Sequence, residues 1–147
     1  MYKRILVTTD GSPLSKKAVQ SAIALCAATG AELVALHVVP RYPVSYWDGG
    51  VRVSDTEVGR IEKQWTDHGQ ALVEKVAQAA EAAGVKAKAA IARSDLVAES
   101  VIAAAKKHKC DLVVMASHGR KGIKRLLLGS ETQHVLTHSS VPVLVLR

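Results

Sequence analysis

The hydrophobic pattern of the chain switches between two periods. Runs of consecutive apolar, largely β-branched residues occupy 4–9, 32–39, 111–116 and 141–146, while 85–92 alternates apolar with polar. Each reads as a strand, and runs apolar on both faces suit a parallel sheet covered on both sides. The stretches between them follow helical spacing. Ala18, Ala22, Leu25 and Cys26 share a face of 16–29. Val58, Ile61, Trp65, Leu72 and Val76 stripe 56–83, and Val97, Val101, Ile102 and Ala105 stripe 96–108. Residues 130–138 form a shorter fourth helix.

Punctuation agrees with this partition. Ser12 or Ser15 can cap the first helix, with Pro13 tolerated near its start, and Gly30 and Gly84 close the first two helices. Ser94-Asp95 is expected to cap the third helix, and Pro40 stops the second strand. Residues 41–55 are irregular and long for a loop, and Tyr46 and Trp47 there either fold over a ligand or partner or pack on the surface. The order β-α-β-α-β-α-β-α-β predicts an α/β fold: one domain over 1–147, built as a doubly wound five-stranded parallel sheet with helices on both faces. Pro142 lacks a ladder donor, which predicts an edge position for the last strand. Its apolar character there suggests that another chain covers it.

Composition narrows the picture. Hydrophobic residues make up 48% of 147 residues, but aromatics only 3% and Phe is absent, so the core must be aliphatic. No apolar run reaches a membrane span, and the first residues show no signal-peptide cleavage pattern, so a cytoplasmic protein without membrane contact is expected. Cys26 and Cys110 sit in apolar settings without metal-ligand spacing, as buried thiols do. The net charge of +7 favours an anionic partner. Five aromatics, none interleaved with the basic run at 120–125, give no stacking platform for nucleic acid, which is therefore not an expected partner.

The candidate chemistry lies in 112–132. A strand end opens into Ser117-His118-Gly119, the basic run follows, and Gly129-Ser130 starts the last helix with Glu131 in its first turn. Glycines let backbone N–H groups approach an anion, and a helix start adds unpaired donors and partial positive charge. The stretch reads either as a phosphate site or as a surface loop with solvated lysines. Asp10, at the end of the first strand, can accept from a base or ribose, can hold Mg²⁺ through water, or can close an Asx-turn. No P-loop, dinucleotide fingerprint, HExxH motif or nucleophile elbow is present. His134 and His138 stand four apart on a predicted helix without the glutamate of a zinc-protease motif.

The whole chain resembles the universal stress protein family in its nucleotide-binding branch. The resemblance rests on Val7-Thr8-Thr9-Asp10-Gly11-Ser12, Leu36-His37-Val38-Val39, Met115-Ala116-Ser117-His118-Gly119 and Val141-Pro142-Val143-Leu144-Val145. The family's ATP motif runs Gly, two residues, Gly, nine residues, Gly-Ser/Thr; Gly119 and Gly129-Ser130 match, and Ala116 replaces the first glycine. Ser94-Asp95-Leu96 stands where many relatives have Gly-Asp-Pro. The resemblance implies an adenine nucleotide alpha hydrolase-like fold with strand order 3-2-1-4-5 and a site for ATP, ADP or AMP, with Mg²⁺ near Asp10 held via the nucleotide. Asp10 and the backbone at Val38 would flank adenine and ribose, and Thr9 and Met115 would also belong to the nucleotide site. Ala116, His118, Gly119 and Arg120 would line ribose and the α/β-phosphates. Gly129, Ser130, Glu131 and Thr132 would face the β/γ-phosphates. It also implies a homodimer through Val141, Val143 and Val145 in the last strand. Such a protein regulates an unidentified protein partner by its nucleotide state and hydrolyses ATP slowly or not at all. A nucleotide-free interaction module of the same fold is the alternative.

Overall fold

The structure is a computed structural model that describes residues 1–43, 53–119 and 128–147. Five strands form one parallel sheet: β1 (Arg4–Thr8), β2 (Glu32–Val39), β3 (Ala87–Arg93), β4 (Leu112–Ala116) and β5 (Val143–Leu146). Their order is β3-β2-β1-β4-β5, so β1 and β4 are neighbours and β5 lies at an edge. Four helices connect them: α1 (Pro13–Thr29), α2 (Asp55–Ala82), α3 (Val97–Lys107) and α4 (Ser130–His138).

The doubly apolar strands are explained by two cores. Ile5, Val7, Leu33, Ala35 and Val114 pack under α1 and α2, through Ala18, Ala22, Val73 and Ala80. Their strand neighbours Leu6, Val34, Leu36, Val113 and Met115 point the other way, against Ala98 and Val101 of α3 and Val135 of α4. The largest fully buried side chains are Ile, Leu and Val, with no aromatic among them. Burying each contributes roughly 1.5–3 kcal/mol, and both faces of the sheet are used. Cys26 and Cys110 are free and buried, one in each core. Burial pushes both thiols up to about 11, which leaves them protonated and unreactive.

Boundaries differ from the sequence pattern where side chains intervene. Helix α1 starts at Pro13, earlier than residue 16, because Ser12 Oγ accepts from Ser15 N (3.2 Å) and proline fits the first turn. Strand β5 starts at Val143, because Ser139 Oγ accepts from Val141 N (3.2 Å) and donates to Val141 O (2.9 Å), holding that residue in a turn. Pro142 still serves the sheet as an acceptor, its carbonyl taking Val113 N at 3.0 Å. Among the described residues, no helix is long and apolar enough to cross a membrane.

Candidate functional site

Strand order reverses between β1 and β4, and ligands of such sheets bind beyond the carboxyl ends of the strands at that point. The turn leaving β1 is held from within. Thr9 N donates to Leu36 O (3.0 Å), Gly11 N donates to Thr9 Oγ1 (3.2 Å), and Thr9 Oγ1 shares a 3.2 Å bond with Ser15 Oγ. His37 Nδ1 lies 2.7 Å from Thr9 O; a carbonyl only accepts, so Nδ1 carries the proton. Asp10 Oδ1 accepts from Ser12 N at 2.9 Å, which is the Asx-turn reading of this residue. Its other oxygen is turned across the crevice. A Cβ on Gly119 would stand 2.4 Å from Asp10 Oδ2, so the loops after β1 and β4 meet here.

The loop after β4 is equally constrained. Ser117 N donates to Leu146 O (2.8 Å), and Ser117 O accepts from Gly129 N (2.7 Å). His118 Nδ1 is 3.2 Å from Ser117 Oγ. Gly129 occupies the cap position of α4 and, as glycine, supplies no side-chain bond to the helix start. The N–H groups of its first turn have no intrahelical acceptor and aim their partial charge out of the helix start. Thr132 is buried, and its hydroxyl donates to Ala116 O at 2.9 Å, which ties α4 to the end of β4. Ala116 itself is only 8% exposed, so its methyl is packed rather than standing free in the crevice.

Glu131 behaves differently from its neighbours. Its Oε2 accepts from Ala98 N at 2.9 Å and so caps α3, a helix whose own cap residue Leu96 supplies no side-chain bond. The expected Ser94-Asp95 cap is diverted: Ser94 Oγ takes Leu96 N (3.0 Å) and Asp95 Oδ1 takes Arg41 N (2.9 Å). A second tie between α3 and α4, His134 Nε2 to Glu99 Oε1, measures 3.5 Å. Thus the Glu131 carboxylate is spent on α3, and only its backbone N–H remains to face an anion. Sequence reasoning misses this cap because its partners are 33 residues apart.

A second unforeseen feature supports the β1 side. Helix α2 lies so close to β2 that a Cβ on Gly69 would sit 2.5 Å from His37 Cδ2. A buried glycine inside a predicted helix is the signal that marks such a contact. Nearby, Tyr42 stacks on Trp65 with ring centroids 6.1 Å apart, and Glu62 accepts from Tyr42 N (3.2 Å) and pairs with Arg93.

Of the expected site residues, Thr9, Asp10, His118, Gly119, Gly129, Ser130, Glu131 and Thr132 lie on the two loops and the helix start at this crevice. Val38 and Met115 lie near the ends of the flanking strands and pack into the second core. Arg120, with the rest of the basic run, and Tyr46 and Trp47 lie outside the described residues. Among the described residues, no three potential metal ligands cluster. The His134 and His138 rings lie tilted by 34° with centroids 4.3 Å apart, and His138 Nδ1 donates to His134 O.

These elements define a doubly wound α/β protein whose loops after β1 and β4 meet at the β1/β4 switch point. The chain belongs to the universal stress protein family, whose family model matches residues 1–147. It is 34% identical to universal stress protein MJ0531 of Methanocaldococcus jannaschii over 147 residues, covering all of this chain and 83% of that one. The solved structure of MJ0577 from the same organism superposes with a TM-score of 0.82 at 27% identity, covering 99% and 96% of the two chains. A universal stress protein solved in complex with cAMP superposes with a TM-score of 0.69 at 26% identity, covering 99% and 97%.

Proposed function

We propose that the crevice binds an adenine nucleotide, with ATP the preferred form, and that the protein is a dimeric stress-response regulator of the cytoplasm whose nucleotide state alters its contact with a protein partner. One observation carries the reading: Asp10, Gly119 and the start of α4, whose cap residue is a glycine, converge at the switch point of the sheet. The cAMP complex of a relative supports it. In this reading Asp10 and the backbone at Val38 hold adenine and ribose, Thr9 and Met115 complete the nucleotide site, and Ala116, His118, Gly119 and Arg120 hold ribose and the first phosphates. Gly129, Ser130, Glu131 and Thr132 hold the outer phosphates. Thr132 and Glu131 act there through backbone N–H groups, since their side chains are engaged elsewhere. Hydrogen bonds to a charged acceptor contribute about 1.5–3 kcal/mol each, so micromolar affinity, about −8 kcal/mol, calls for roughly three to six of them. One carboxylate, Asp10, fits Mg²⁺ held chiefly by the nucleotide's own phosphates.

The test is a calorimetric titration with AMP, ADP and ATP, after denatured protein has been checked for co-purified nucleotide. Saturable binding at one site per chain is expected, and no binding of any adenine nucleotide overturns the proposal. The proposed dimer forms through Val141, Val143 and Val145 of the edge segment, where Leu144 is also left exposed. Val145 is half-buried and, among the described residues, is not packed against either core, so Val145→Asp is expected to leave the monomer folded. We expect wild-type protein to sediment as a dimer and the variant as a monomer; an unchanged dimer assigns the contact elsewhere.

A further inference from the structure

At the other end of the sheet the strands begin in a basic cleft. It has a volume of about 240 Å³ and lies between Arg4 of β1, Glu32 of β2, Lys86 and Lys88 beside and on β3, and His108 after α3. Three permanent cations face one carboxylate, and that carboxylate is already used. Arg4 Nε and Nη2 donate to Glu32 Oε2 at 3.0 and 2.7 Å, and Lys86 Nζ lies 3.2 Å from Oε1. The remaining Arg4 branch, Nη1, donates to His108 O at 2.8 Å, which fixes the guanidinium as a wall of the cleft. Asp111, next to Arg4 in space, is occupied by the backbone N–H groups of Lys3 and Arg4. Among the described residues, no carboxylate lies within ion-pair distance of Lys88.

We propose that this cleft, walled by Arg4, Lys86, Lys88 and His108, is a binding site for a small phosphate-class oxyanion. Its size lies below the roughly 300–1,000 Å³ of sites for drug-sized ligands, and its surplus is positive, so a single phosphate or pyrophosphate group is the matching occupant. The field acts on His108. Burial first, then Lys88, Lys107 and Arg4, hold its pKa below the ordinary histidine range. An oxyanion reverses the electrostatic part of that effect and stabilises the imidazolium. By linkage, an oxyanion in the cleft raises the His108 titration midpoint, and for an anion of fixed charge binding tightens as pH falls through that midpoint. The cleft is separate from the nucleotide crevice. Arg4 and Asp10 are six residues apart along β1 and the turn after it, or about 20 Å at roughly 3.3 Å per residue.

The experiment follows the His108 ring resonances by NMR across pH in the full chain and in Gly129→Val, in which the phosphate contacts of the nucleotide crevice are impaired, so that a response shared by both comes from the cleft. Inorganic phosphate, pyrophosphate and glycerol 3-phosphate are added at millimolar concentration, against chloride at equal ionic strength. We expect the midpoint to rise with the phosphates and not with chloride, and Lys88→Ala to weaken the effect about tenfold, the loss of one charged contact of roughly 1.4 kcal/mol. AMP affinity should be unchanged in that variant. Tighter binding of the inorganic anions identifies a free anion as ligand, and tighter binding of the ester identifies a phosphomonoester. A midpoint that ignores phosphate, follows chloride equally, or responds equally in Lys88→Ala overturns the site.

Discussion

Gly129→Val lowers adenine-nucleotide affinity at least about a hundredfold, the largest binding loss we expect from one substitution at the crevice. From sequence alone, this glycine is needed because backbone must approach a phosphate. The structure supplies a stronger reason. A Cβ at 129 meets Ser117 O at 2.9 Å, His118 Cα at 3.3 Å and His118 Cβ at 3.5 Å. Two of these atoms are backbone, so relief requires the start of α4 to move away from the β4 loop. That movement breaks the 2.7 Å bond from Gly129 N to Ser117 O, which contributes about 0.5–1.5 kcal/mol. It also displaces the Ser130 and Glu131 N–H groups, and the loss of two charged-acceptor bonds at about 1.5–3 kcal/mol each exceeds the 2.7 kcal/mol that a hundredfold represents. Gly129→Ala, with the Cβ alone, should fall between. Calorimetric titration of AMP and ATP, read beside the melting temperature, checks both effects. Wild-type affinity in the valine variant would place the phosphates elsewhere.

This difference in reason shows what the sequence discloses and what it does not. Strands apolar on both faces, such as 32–39 and 112–116, announce a sheet covered on both sides, because no half-exposed strand tolerates that pattern. That the loops carrying Asp10 and Gly119 could meet was legible from their places after β1 and β4. The pattern could not show that Asp10 divides its carboxylate, one oxygen closing the Asx-turn with Ser12 and the other facing Gly119. Long-range polar ties leave no local trace. Glu131 reads as an ordinary acidic residue in a first helical turn, yet it caps α3, and Ser94-Asp95, a plausible cap by composition, bonds to Leu96 and Arg41 instead. The edge position of β5 was legible through Pro142, although proline there also serves the ladder as an acceptor.

Two glycines of α2 should respond in opposite directions to the same substitution. Gly59 is exposed and, among the described residues, a Cβ there meets nothing within 4 Å, so Gly59→Ala should stabilise the protein by about the helix-propensity difference, up to about 1 kcal/mol. Gly69→Ala gains the same propensity term but places its Cβ 2.5 Å from His37 Cδ2 and 3.2 Å from Val39 Cγ2. The His37 ring cannot swing aside without cost, because its Nδ1 is bonded to Thr9 O at 2.7 Å. Overpacking costs about 1–3 kcal/mol and a lost hydrogen bond about 0.5–1.5 kcal/mol, so the steric side wins by about 1–3 kcal/mol net. For a chain of this size that corresponds to a melting temperature lower by several degrees, about 2–4 °C per kcal/mol. In a double-mutant cycle with His37→Ala, the penalty of Gly69→Ala should shrink by at least about 1 kcal/mol, since the ring it strikes is gone. Equal shifts for Gly59→Ala and Gly69→Ala, or no coupling to His37, would show that α2 can lift from the sheet at little cost. If the contact is as tight as the geometry states, Gly69→Ala also weakens nucleotide binding, because His37 holds the carbonyl of Thr9, one residue before Asp10.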